Sequence, residues 1–275
     1  MNYTMMSHAW SRQIPISNES DLIEMFKVAN ELGMKTVNMV STYNIDEIKI
    51  LNLAKKFSLK IFCYSFGLDL CEWGGTKDDK ELISTLKKEI SVARKLEAET
   101  VMLLICGKEG VSRKENRIIA LNRLKKMIAY CLDSGLTPMI ENYPSLDGPF
   151  LTSEDLLIAV NEIKGLKLIY DIGNCLIAGE KPEEVFYKIK DHINHIHVSD
   201  LNHWNNNNGI PQHSLDNKKY SGCVIGSGII NYKNLLKILT EHKYNGNIEI
   251  EYHGNEFKPK VGIQKSLNNL EYILK

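Results

Sequence analysis

The sequence predicts a single (β/α)8 barrel of the TIM type spanning residues 1–275. Three observations point there. The length, 275 residues, is near the usual size of such a barrel. Strand-like apolar runs alternate with amphipathic helical stretches along the whole chain. The strand-like runs are almost continuously apolar, the mark of strands buried on both faces by helices. An open doubly wound sheet is the rival, but the first strand is not followed by the G-x-G-x-x-G turn expected of its dinucleotide-binding members.

The elements follow in order. A first strand is expected over 3–7. Residues 21–33 carry Leu22, Ile23, Phe26, Ala29 and Leu32 at helical spacing, with Gly33 as a stop. A short run rich in β-formers covers 36–40, an amphipathic stretch 45–57, and a third strand 59–64. Further strands are expected near 100–105, 136–141, 166–171, 193–198 and 247–252. Helices are expected near 79–97, 114–134, 153–164, 182–191, 231–242 and 260–274. One connection differs. From 200 to 229 the chain is polar, includes four consecutive asparagines (205–208) and has few helical cues, so it reads as a long functional loop with a solvated tip.

Bulk properties narrow the function. The chain is 43% hydrophobic and 25% charged, as in ordinary globular proteins. Lys plus Arg and Asp plus Glu number 34 each, which gives no global attraction to nucleic acid or an anionic membrane. There is no basic n-region followed by an apolar stretch at the start and no long apolar window. The six cysteines form no C-x-x-C pair. A cytoplasmic protein with reduced thiols is expected, without nucleic-acid or membrane partners.

The chemistry is concentrated at four strand ends. The fifth strand ends in Glu141, the sixth in Asp171, the seventh contains His197 and the eighth Glu251. Catalytic groups of a barrel sit at the C-terminal ends of its strands, and strands five to eight are neighbours in the ring. Three carboxylates and a neutral imidazole converging in a dry pocket require a cation, because burying an unpaired charge costs several kcal/mol. A divalent ion suits this oxygen-rich set with one nitrogen: Mn²⁺ first, with Mg²⁺, Co²⁺ or Zn²⁺ as alternatives. Glu249 shares a strand face with Glu251, and either can instead point outward at the rim. His195 shares a face with His197 and lies deeper.

Secondary candidates surround this set. His8 after strand one and Lys108 after strand four are placed to contact substrate. The backbone of Gly226-Ser227-Gly228 could meet a phosphate, although a tight turn into the next helix is favoured. Trp10, Trp73 and Trp204 fall in strand-end loops, as walls for a sugar or as packing. Asp200 could orient His197 or a neighbouring loop.

Five segments together resemble the xylose-isomerase-like TIM-barrel superfamily. They are Ile140-Glu141-Asn142, Tyr170-Asp171-Ile172-Gly173-Asn174, His195-Ile196-His197-Val198-Ser199-Asp200, Gly226-Ser227-Gly228-Ile229-Ile230 and Ile248-Glu249-Ile250-Glu251-Tyr252. That superfamily includes D-tagatose 3-epimerase-like enzymes, hydroxypyruvate isomerase, inosose dehydratase and endonuclease IV. The resemblance implies a metal-dependent sugar or sugar-phosphate isomerase or epimerase. Glu141 and Glu251 would bind the metal and also move protons on opposite sides of a bound ketose, through a cis-enediolate. It further implies a sugar or polyol as the small-molecule partner and is compatible with a homo-oligomer.

Two positions depart from the epimerase pattern. Asn174 stands where that branch has a histidine and His203 where it has an arginine, both substrate-contacting positions. The metal set is unaffected, but the substrate assignment loses support. A metal-dependent dehydratase of a cyclic polyol or shikimate-type acid is therefore the main alternative. A non-catalytic sugar-binding barrel is a further one. An endonuclease IV-like nuclease is disfavoured, because the additional histidines of a three-zinc site are missing from strands two and three and from Ser221-Gly222-Cys223.

Overall fold

In the computed structural model, which describes residues 2–72, 78–205 and 210–274, eight parallel strands close into a barrel surrounded by helices. The barrel strands are β1 (Asn2–Met6), β2 (Thr36–Met39), β3 (Lys60–Gly67), β4 (Thr100–Leu104), β5 (Thr137–Glu141), β6 (Lys167–Asp171), β7 (Ile193–Val198) and β11 (Asn247–Ile250). They follow one another in sequence order around the ring, and β11 closes it against β1. The sequence-predicted eighth strand is thus β11.

The helices are α1 (Ser7–Ser11), α2 (Glu19–Glu31), α3 (Glu47–Lys56), α4 (Asp79–Lys95), α5 (Arg113–Asp133), α6 (Ser153–Glu162), α7 (Asn174–Ile177), α8 (Pro182–Ile189), α9 (Tyr232–Glu241) and α10 (Pro259–Ile273). Their starts are written locally. Asn18 and Asp46 accept hydrogen bonds from backbone N–H groups opening α2 and α3, while Ser112 with Glu115 and Thr152 with Asp155 form reciprocal capping boxes on α5 and α6. The apolar face of each long helix packs on the outside of the barrel in one continuous core. Inside the barrel, Cys63, Met102, Met139 and Ile169 form a separate apolar cluster. The ring is therefore filled rather than hollow, and the site above it rests on a packed floor.

Two local expectations change. The first strand stops at Met6, and residues from Ser7 turn at once into α1. Ser7 is buried, and its Oγ accepts hydrogen bonds from the Val40 backbone and the Tyr43 hydroxyl. Trp10 is fully buried in this short helix, so it packs in the core and forms no wall for a ligand.

The second change concerns the polar connection after β7. It is no irregular loop but a three-stranded antiparallel sheet of β8 (Asp200–His203), β9 (Gln212–His213) and β10 (Lys219–Cys223). Leu201 and Tyr220 of this sheet pack with Leu151, Ile177 and Ala178 in a small satellite core. The asparagines at 206–208 and Trp73 lie outside the described residues.

Asp200 ties this sheet to the chain entering α9. Its Oδ2 accepts the backbone N–H groups of Gly226 and Gly228, each at 2.9 Å, and its Oδ1 accepts those of Leu201 and Ile230 at 2.9 and 3.4 Å. The backbone donors at Gly226 and Gly228 are thereby spent on the protein's own carboxylate, so the tight-turn reading of this segment stands and the phosphate reading does not. A side chain at Gly228 would collide with Asp200 and Leu201, which explains the glycine. Burial pushes the Asp200 carboxyl up to about 6, against the opposing pull of these four donors.

Replacing Asp200 with Ala strands the buried N–H groups of Leu201 and Ile230 and the part-buried ones of Gly226 and Gly228. A loss of about 2–4 kcal/mol of stability is expected, on the scale of one to two unsatisfied buried donors. Urea unfolding followed by circular dichroism checks this, and a midpoint unchanged from wild type would contradict the clamp.

Candidate metal centre and active site

Strands β5, β6, β7 and β11 are consecutive neighbours. Their registers place Asp171 and Glu249 on either side of His197. Because side chains alternate across a strand, Met139 and Glu141, Ile169 and Asp171, His195 and His197, and Glu249 and Glu251 form inward pairs. The upper member of each pair is a metal-ligand type.

These upper residues converge. His197 Nδ1 lies 3.1 Å from Glu141 Oε2, 3.5 Å from Glu251 Oε2 and 4.0 Å from Asp171 Oδ2. Asp171 and His197 are fully buried, whereas Glu141 and Glu251 keep slight exposure of 7% and 8%. That difference matters, because only the two glutamates face the cavity above, a cleft of about 270 Å³ at the barrel mouth. Asp171 and His197 are sealed below it.

The residues present fit a divalent ion. Asp171 Oδ2 and both ring nitrogens of His197 are buried without a hydrogen-bond partner, which costs free energy unless another group satisfies them. An ion bound at roughly 2.0–2.2 Å from each donor spaces its ligands about 3–4 Å apart, the range seen around Nδ1. Glu141, Asp171 and His197 also form one of the metal-capable clusters among the described residues.

The metal-free electrostatics reflect the crowding. Burial, reinforced by Glu251 and Glu141, pushes the Asp171 carboxyl well above the usual carboxylate range. Burial likewise raises Glu141, with His197 opposing and the charges of Glu251 and Glu249 adding to the rise. For Glu251 burial acts in the same sense, but the His253 and His197 rings overcome it and hold the group well below its ordinary value. Burial alone would lower His197; the carboxylates of Glu249, Glu141 and Glu251 instead drive it well above the usual imidazole value.

Local sequence sets the geometry. Asn142 bridges β5 and β6, donating to the Asp171 carbonyl at 2.8 Å and accepting the Asp171 N–H at 2.9 Å. Asp171 Oδ1 accepts the Asn174 N–H at 2.8 Å and the Ser199 hydroxyl at 3.2 Å. Gly173 lets this turn press against β7, since any Cβ there would overlap Ser199. One Asp171 oxygen is thus held by the protein, and the other is left free.

The remaining sequence candidates divide. His8 and Asn174 line the cavity. His203 is exposed on β8, stacked on Tyr220 with ring centroids 5.5 Å apart, and is not brought to the cavity. Lys108 is also exposed and not among the described lining residues; its ammonium lies 3.9 Å from Glu72. Trp204 lies under the Lys219 ammonium.

Sequence reasoning passed over Tyr143 and His253, both of which line the cavity. Each lies two residues beyond a ligand-type residue, Glu141 or Glu251, and that spacing was the available signal. His253 Nε2 is 2.9 Å from Glu251 Oε1. Met6, Val40, Phe66, Met102, Leu104 and Pro144 supply an apolar wall.

A family model described as xylose isomerase-like TIM barrel matches residues 21–273. The chain belongs to this family. Among curated proteins, an inosose dehydratase of Clostridium botulinum is 26% identical over 180 residues, covering 62% of this chain and 55% of that protein. The chain thus spans little more than half the length of that relative. An uncharacterised protein of Methanocaldococcus jannaschii is 28% identical across 94% of both chains. Among solved structures, D-psicose 3-epimerase with D-tagatose from Clostridium cellulolyticum superposes with a TM-score of 0.76 at 13% identity over the full length of both chains. The probable 3-DHS dehydratase of Bacillus anthracis gives 0.74 at 17% identity, covering 98% of this chain and 99% of that one. At such identities the structural likeness establishes the fold alone.

Elemental analysis of protein purified without chelator is expected to give about one divalent ion per chain. Asp171→Asn and His197→Ala should lose that ion while keeping the far-ultraviolet circular dichroism of the parent, because the barrel core does not depend on it. A stoichiometry near three, or an unfolded variant, would contradict the mononuclear centre.

Proposed function

We propose that the protein is a metal-dependent enzyme that moves a proton at a carbon next to a carbonyl in a small polyhydroxylated substrate, as a sugar isomerase or epimerase does. The observation that carries this is the pairing of Glu141 and Glu251. They alone among the four ligand-type residues face the cavity, and their environments push their proton affinities in opposite directions. Two carboxylates so separated divide naturally into a base and an acid.

Glu141, Asp171, His197 and Glu251 would hold the ion, with Mn²⁺ best suited to the donor set. When bound, it would supply polarisation of the substrate's carbonyl and hydroxyl oxygens. The chain's own groups do the rest. Glu251, kept ionised beside His253, removes the proton. Glu141 returns one from the opposite side of the enediol. Asn174 and His8 hydrogen-bond substrate hydroxyls, and the apolar wall excludes water. Burial lowers the proton affinity of His8 despite nearby Glu251, so it would meet substrate as a neutral imidazole near pH 7.

A dehydratase reading has specific support as well, since the curated relatives include an inosose dehydratase. It shares the first proton abstraction and then loses hydroxide instead of regaining a proton. A nuclease reading has less, because the metal-capable clusters among the described residues share His197 and offer no array for three ions.

Incubation of metal-loaded protein with ketoses and inososes in D₂O separates these readings. Deuterium at the carbon next to the carbonyl of recovered sugar supports isomerase or epimerase chemistry. Unsaturated product without labelled substrate supports the dehydratase. Glu141→Gln and Glu251→Gln should each lower turnover by about a hundredfold or more while retaining part of the metal affinity. Wild-type rates in both metal-loaded variants would defeat the two-carboxylate mechanism.

Variants around the cavity provide a further check. His8→Ala should raise KM about tenfold, the scale of one lost hydrogen bond to a substrate. Lys108→Ala and His203→Ala should leave steady-state kinetics within about twofold of wild type.

A further inference from the structure

A fourth carboxylate lies against His197 from below. Glu249 is fully buried, two residues before Glu251 on β11. Its Oε2 is 2.6 Å from His195 Nε2 and 3.6 Å from His197 Nε2. Asn38 Nδ2 donates to both of its oxygens, at 2.9 and 3.3 Å. The amide is itself oriented, because Ser65 Oγ donates to Asn38 Oδ1 at 2.9 Å. A chain of side chains from β3 through β2 to β11 therefore locks one carboxylate beneath the imidazole of β7.

We propose that Glu249 is a positioning residue for the metal centre: its carboxylate, 3.6 Å from His197 Nε2, draws the ring proton to that nitrogen by charge attraction rather than by a hydrogen bond, and so leaves the Nδ1 lone pair for the ion site among Glu141, Asp171 and Glu251. This rests on the metal reading of those residues. The physics is a choice between two tautomers. With the proton on Nε2, an N–H faces the Glu249 carboxylate, and Nδ1 is free to ligate. With the proton on Nδ1, a lone pair faces that carboxylate, and the nitrogen nearest the other three acids cannot bind an ion. A carboxylate that orients a ligating imidazole in this way fixes its tautomer and raises its basicity.

His195, His197 and Glu249 also lie close enough together to suggest a second ion. The hydrogen bonds speak for support instead. Asn38 and His195 already occupy the Glu249 oxygens, and the His195 ring stands nearly perpendicular to that of His197, at 87°.

The test measures Mn²⁺ affinity by competition with a chelator in wild type, Glu249→Gln and Asn38→Ala. Glu249→Gln keeps the shape and removes the charge, and Asn38→Ala loosens the carboxylate without altering it. A loss of about 10–100-fold is expected for Glu249→Gln and a smaller one for Asn38→Ala, with each metal-free variant keeping the far-ultraviolet circular dichroism of wild type. Nitrogen-15 correlation spectra of Zn²⁺-loaded wild type should show the His197 proton on Nε2, a signature that packing alone would not produce.

If wild type binds one Mn²⁺ and both variants bind it equally well, the positioning role is wrong while the centre stands. If wild type binds none, the centre falls and the proposal with it. Two ions per wild-type chain, reduced to one in Glu249→Gln, would replace positioning with a second metal site.

Discussion

Four carboxylates around one imidazole, in a place water barely reaches, form the constraint on which the site depends. Glu141, Asp171, Glu251 and Glu249 all approach His197, and none of the five residues is more than 8% exposed. Such an arrangement is unstable as bare charge. It is tolerable when protons or a cation compensate, and the crowding correspondingly raises the proton affinity of Asp171, Glu141 and His197. The barrel makes the crowding sustainable. Its strands are anchored by parallel ladders on both sides and by helices outside, so the acids cannot relax apart.

The surrounding polar groups then acquire definite tasks. Asn142 and Ser199 restrain Asp171 so that a single oxygen points inward. His253 sits beside Glu251 and keeps its charge. Met139 and Ile169 cover the floor under Glu141 and Asp171, while His195 and Glu249, the latter held by the Asn38–Ser65 pair, occupy the corresponding space under His197 and Glu251. The interior is thus divided into an apolar side and a hydrogen-bonded side, and the ligand cluster spans both.

Much of this could be read before any coordinates, and the reason is periodicity. Apolar runs ending in Glu141, Asp171 and Glu251 reveal both a buried parallel strand and the point where its backbone leaves the barrel, so the fold and the convergence of these side chains were readable together. The helices were equally clear where a cap preceded an amphipathic stretch, as Ser112 and Glu115 do for α5. What escaped was set by tertiary contact. Ser7 and Trp10 form a helix because both are buried against other elements. The segment after β7 is polar in composition, so its sheet shows only in sparse buried positions such as Leu201 and Tyr220. Alternation left the direction of Glu249 undecided, and its inward setting follows from Asn38 and His195 on strands distant in sequence. His203 lies close to the His197 strand in sequence, yet β8 pairs with β10 and His203 stacks on Tyr220, so it is not among the described residues that line the cavity.

The Asp200 clamp has an evolutionary corollary. It pins both ends of the segment between β7 and α9 to one carboxylate immediately beyond the ligand strand. The connections between the strands of this small sheet can lengthen with little disturbance to His197, since lengthening a closed loop adds only about 0.6 kcal/mol per doubling. The barrel carries a small sheet beside its mouth whose connections selection can reshape independently of the strands that bear the buried acids. What borders the mouth can therefore change while the acid cluster beneath stays the same.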